Sequence, residues 1–167
     1  MNTLLLLLSV IVVIGLVMSL IASRPRGAQL SALGNVADGY QPAKKTYYAD
    51  AAISTRNLLV KFGSDASHVA LAGVNDIPLG LATDEAAAAE DGIAVSLLGI
   101  QECGALAVAS AAITEGDLLV PAANGKVRTL PGTTGSYYII GRALNAAGVD
   151  GDVIEFVPTF PVLRVVA

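Results

Sequence analysis

The hydrophobic pattern divides the chain into three stretches. From Leu4 to Ala22 no charge interrupts Leu4-Leu5-Leu6-Leu7-Leu8, Val10-Ile11-Val12-Val13-Ile14, Leu16, Val17, Met18, Leu20 and Ile21. Apolarity of that length predicts one α-helix over residues 1–22, about 30 Å long at about 1.5 Å per residue and apolar on every side. At roughly 1.5–3 kcal/mol for each large side chain, exposure to water would cost more than about 20 kcal/mol, so lipid, partner protein or cleavage must remove the segment from solvent. Residues 23–46 then carry breakers, Arg24-Pro25-Arg26-Gly27, Gly34-Asn35, Asp38-Gly39 and Gln41-Pro42, and read as an extended arm. From Tyr47 onward, short apolar runs separated by Gly, Pro, Asn and Asp predict a mainly β domain over residues 47–167.

That domain repeats itself. Ala52-Ile53-Ser54-Thr55-Arg56-Asn57-Leu58-Leu59-Val60 aligns without gaps to Ala112-Ile113-Thr114-Glu115-Gly116-Asp117-Leu118-Leu119-Val120. In the same order, Leu71-Ala72-Gly73 matches Leu130-Pro131-Gly132, Leu79-Gly80-Leu81-Ala82 matches Ile140-Gly141-Arg142-Ala143, and the stretch from Gly92 to Leu98 matches that from Gly151 to Val157. Any one block is an ordinary turn and strand; four in register predict two pseudo-repeated small β units, barrel-like or sandwich-like, over about 47–106 and 107–167.

Within each unit, turn residues feed a buried strand. Glu115-Gly116-Asp117 precedes Leu118-Leu119-Val120, and Asn124-Gly125 supplies the positive φ angles of a tight hairpin before Val127; Gly63-Ser64-Asp65 stands in the comparable place of the first unit. Tyr137-Tyr138-Ile139-Ile140 and Val153 to Val157 are further strands. Thr83 to Gly92 predicts one to two turns of helix, with Thr83 as cap, acids at the positive end, four alanines and a terminating glycine; Leu144 to Gly148 predicts a loop. The tail, Pro158 to Ala167, is too apolar for a free terminus and is expected to pack on the sheet or on a neighbour.

Composition narrows the function. With 54% hydrophobic but only 5% aromatic and 14% charged residues, the surface suits coverage by a partner better than free solvation. The net charge of −4 and ten scattered Lys and Arg argue against nucleic-acid binding. One cysteine excludes an internal disulfide and a Cys-rich metal site. His68 and Cys103 form a Cys-His pair only on paper: a solvated loop histidine and a small buried thiol are the plainer readings. Asp84, Glu85, Glu90 and Asp91 flank the alanine run and serve helix-end electrostatics, with calcium there a minor alternative. Phosphate-binding glycine motifs are absent. The chain is therefore expected to be no enzyme, with no cofactor, no catalytic residue and no metal.

At Ile113-Thr114-Glu115-Gly116-Asp117-Leu118-Leu119-Val120, Ile140-Gly141-Arg142-Ala143-Leu144 and Gly151-Asp152-Val153-Ile154-Glu155-Phe156, the sequence resembles the capsid decoration, or cement, proteins of tailed bacteriophages, over roughly Tyr47 to Val157. The first unit departs from the pattern, with Arg56-Asn57 for Gly116-Asp117 and Gly92-Ile93 for Gly151-Asp152. The resemblance implies a structural virion protein, made in the host cytoplasm, that sits on the capsid exterior and bridges subunits of the major capsid protein, as a homo-oligomer with a trimer favoured. Candidate assembly contacts are Leu4, Leu8, Ile11, Gly15, Met18, Tyr40, Tyr47, Phe160 and Leu163. The alternative is a single-pass membrane-anchored β-domain scaffold, in which residues 4–22 span the bilayer and Arg24 and Arg26 place the bulk of the chain in the cytoplasm. A secretory signal fits less well, because Met1-Asn2-Thr3 carries no positive charge and Leu20 stands where cleavage wants a small residue.

Overall fold

A computed structural model describes residues 44–100 and 104–167. The apolar segment and most of the expected arm lie outside the described residues, as does Cys103. At the C-terminal end of the expected arm, β1 (Lys44–Ala49) runs as a strand, with Lys44, Lys45 and Thr46 opposite Ser96, Val95 and Ala94. Beside it lie β2 (Leu59–Phe62), β3 (His68–Leu71), β4 (Gly80–Ala82) and β5 (Gly92–Leu97), closed into a barrel in the order β1-β3-β2-β4-β5. The alternation expected of strands packed on one face fills it: Tyr47 and Ala49 from β1, and Ile93 and Val95 from β5, point inward.

The second sheet consists of β6 (Ala105–Val108), β7 (Leu118–Pro121), β8 (Val127–Thr129), β9 (Gly135–Ala143) and β10 (Val153–Val166), in the order β6-β10-β9-β7-β8. Its edge strands meet only through one parallel bridge, Ala109 to Val127, so it forms a half-barrel.

Both sheets follow one pairing scheme. The parallel pair Ala49–Val69 is answered by Ala109–Val127, the antiparallel pair Ala82–Val95 by Ala143–Phe156, and the isolated bridge Ile53–Ala86 by Ile113–Ala147. Backbone bonds correct the ungapped sequence alignment in two places. Asn57 N–H donates to Ala82 O at 2.7 Å, as Gly116 N–H does to Ala143 O at 2.9 Å, so Asn57 and not Arg56 stands in the place of Gly116. Likewise Glu90 N–H donates to Ala49 O and Gly151 N–H to Ala109 O, so Glu90-Asp91 and not Gly92-Ile93 answers Gly151-Asp152.

The helix expected over Thr83 to Gly92 does not form. Ala86 exchanges two backbone bonds with Ile53, of 2.8 and 2.9 Å, the Thr83 hydroxyl donates to Ala94 O, and the Asp91 carboxylate accepts the Ala88 N–H. Two turns of alanine do not repay helix nucleation, whereas the bridge supplies partners at once. The hairpin between β7 and β8 forms as Asn124-Gly125 suggests, with a 3-10 turn over Ala123–Gly125 and φ of 59° and 72° at its last two residues.

The run Leu58-Leu59-Val60 is apolar on both faces because it separates two cores. Leu58 and Val60 pack with Tyr47, Ile53, Val69, Ile93 and Val95 inside the barrel. Leu59 joins Leu119, Val127, Ile140, Ile154 and Phe156 in the second core, while Val108 of the second sheet packs in the first.

Candidate assembly surface

Beyond their flanking strands, β9 and β10 continue alone. On β10, β6 pairs only with Val153 to Phe156; on β9, β7 pairs only with Gly141 and Arg142. After a register shift between Pro158 and Val162, residues 162–166 pair with 139–135, and among the described residues neither segment has a second strand partner. The expected packing of the tail is thus realised as one strand of a two-stranded ribbon with two open edges.

Directly opposed residues of an antiparallel pair share a face. Ile139 with Val162 and Tyr137 with Arg164 occupy one side of the ribbon; Tyr138 with Leu163 and Ser136 with Val165 occupy the other. Both sides are therefore apolar. Phe160 is 62% and Val165 66% exposed, and Val162 and Leu163 are also exposed. The Phe160 ring lies over the backbone of Gly99, whose φ of 82° suits glycine; a Cβ there would fall against the ring. A two-stranded ribbon is marginal in water, and open edges carrying few charges invite pairing with another chain.

The residues singled out from sequence separate clearly. Leu4, Leu8, Ile11, Gly15, Met18 and Tyr40 lie outside the described residues. Tyr47 lies in the barrel core at 3% exposure, edge-on to Phe62 and under the Lys45 ammonium. Phe160 and Leu163 stand exposed on the ribbon. Sequence reading missed Val162, Val165, Tyr137 and Tyr138; the available signal was two consecutive-apolar runs, which one-sided strands do not need.

The polar candidates are also rearranged. His68 opens β3, where a solvated loop histidine was expected, and its ring lies 5.7 Å from that of Tyr48. Its Nδ1 is 2.8 Å from Asp65 Oδ1, and its Nε2 is 3.2 Å from both carboxylate oxygens of Glu90. The bond to Asp65, then that to Glu90, holds the histidine above its ordinary pKa. Asp65 is held well below the usual carboxylate range by His68 first, then by the hydroxyl and backbone N–H of Ser67. With no helix for the acids to serve, Glu85 faces Arg56 at 3.7 Å. Among the described residues no group of three or more His, Cys, Asp or Glu is arranged to hold a metal ion, and no helix is long and apolar enough to cross a membrane.

Among the described residues, the prominent surface features are strand edges and exposed apolar side chains on a β scaffold. The sequence pattern of the phage cement proteins matches residues 41–157. The chain belongs to that family of structural, capsid-associated virion proteins. The crystal structure of the head fiber gp8.5 N base in bacteriophage phi29 shares the fold, with a TM-score of 0.54 at 22% identity over 72% of this chain and 97% of that one. No curated protein matches the chain.

Proposed function

We propose that the protein binds the outside of a phage capsid and stabilises it by bridging subunits of the major capsid protein, as a homotrimer and without catalytic turnover. The β9–β10 ribbon carries this reading, because among the described residues it is apolar on both faces and open along both edges, the kind of surface that another chain completes. The common pairing scheme of the two sheets supports a further part of it, that the units are copies of one β module, giving each chain two similar bodies to set against a shell. A protein that bridges shell subunits gains from apolar contact, and its histidine, committed to two carboxylates, is poorly placed as a base.

Co-sedimentation with phage heads tests the reading. The full-length chain should pellet with heads and raise their resistance to heat or low salt, and a chain lacking residues 1–43 shows whether the expected arm contributes. Heads that gain no stability while binding the protein would sink the bridging role. The membrane-anchored alternative is favoured by one sequence feature, the apolar run from Leu4 to Ala22. Flotation of the full-length chain with lipid vesicles in place of pelleting with heads would support it.

A further inference from the structure

The two units carry comparable ion pairs, with different cations at the same position and acids one residue apart in the equivalent loop. In the second, Lys126 immediately precedes Val127, the residue bridged to Ala109, and its Nζ lies 2.6 Å from Asp150 Oδ1 in the loop before β10. In the first, His68 immediately precedes Val69, the residue paired with Ala49, and its Nε2 meets Glu90 in the loop before β5. The structure thus sets an imidazole where the sister unit has a lysine side chain.

The loop supports a dedicated contact. Glu90 has φ of 67° where its counterpart Gly151 has 94°. A side chain there carries a backbone strain that glycine avoids. The first unit accepts that strain, and the side chain it gains is the carboxylate that reaches His68.

We propose that His68 is a proton-operated latch on the first barrel. As imidazolium it donates from both ring nitrogens, tying the β2–β3 turn through Asp65 to the β4–β5 loop through Glu90. As neutral imidazole it has one donor and one lone pair, so one carboxylate loses its bond and faces an acceptor. The carboxylates of Asp65 from the turn and Glu90 from the loop favour the charged form, with Ser67 and the tilted Tyr48 ring also beside it. The other nearby acids are engaged elsewhere, Asp50 by Ser64 and Asp91 by the Ala88 N–H. The raised pKa of His68 agrees in direction. The latch is therefore closed below the ordinary histidine value and is released as pH rises through the raised one.

Because His68 is the only histidine, its ring resonances in the full-length protein report the latch directly. They should titrate above the ordinary histidine value, and Glu90→Gln should lower the midpoint. The wild-type denaturation midpoint should fall as pH rises from the ordinary histidine value through the raised one. His68→Lys should flatten that dependence, and Lys126→His in the His68→Lys background should restore it from the other unit. An ordinary titration, or identical pH profiles for wild type and His68→Lys, would overturn the proposal. Should His68→Lys fail to fold, the wild-type titration still decides.

Discussion

At Asn57 and Glu90 the chain adopts left-handed φ where Gly116 and Gly151 stand in the other unit. Gly116 and Gly125 separate the two costs of filling such a position. Nothing lies within 4 Å of a Cβ built on Gly116, so Gly116→Ala should cost only the conformational term, about 1 kcal/mol. A Cβ on Gly125 would stand 2.7 Å from Leu59 O, so Gly125→Ala should cost distinctly more. Urea denaturation checks the order; equal losses would mean that the contact with Leu59 yields freely. The same residues show why the ungapped alignment slipped. It matched the letters of the Leu-Leu-Val run, whereas the fold matches φ, and asparagine tolerates the left-handed region well enough to stand for glycine. A second residue-scale prediction concerns acid. Asp65 has its folded pKa held below the ordinary aspartate range by His68 first and then Ser67, so its contribution is present above that range and fades as pH falls below it. The denaturation midpoint should drop between about pH 4 and about pH 2, and Asp65→Asn should flatten that limb.

Among the elements, the ribbon was half legible. Tyr137-Tyr138-Ile139-Ile140 and the tail each read as apolar, but their partnership depends on the register shift between Pro158 and Val162, which has no short-range signature. The alanine run failed for the converse reason: local propensity favoured helix, and the distant residue Ile53 supplied the competing bonds. The ribbon also separates folding from assembly. The family match ends at Val157, before the open part of β10, and Leu163 and Val165 are exposed. Leu163→Asp with Val165→Asp should therefore change stability by less than about 0.5 kcal/mol per site. The same pair should reduce binding to phage heads at least about tenfold, since charges would enter a desolvated contact. Sedimentation of the double variant with heads is the measurement, and undiminished binding would move the contact off the ribbon.

For the molecule as a whole, the division into two units suggested by the repeat conceals a shared interior. Leu59 leaves the first barrel to pack with Phe156 and Leu119, Val108 packs in return with Val60 and Ile93, and Gly125 N–H donates to Ala72 O at 2.8 Å. A sequence comparison cannot foresee this exchange, because it aligns each unit with the other and says nothing of what lies between them. The exchange sets the order in which the chain can come apart. If neither core is complete without a side chain from the other, the units unfold together, and calorimetry should record one transition with equal calorimetric and van't Hoff enthalpies. Leu59→Ala should lower that transition by about 2–5 kcal/mol without splitting it, as should Phe156→Ala by about 3–5 kcal/mol. Two transitions in the wild type, or a Leu59 variant in which only the second sheet melts early, would mean that each unit stands alone. A single transition would instead mark the two sheets as one cooperative folding unit.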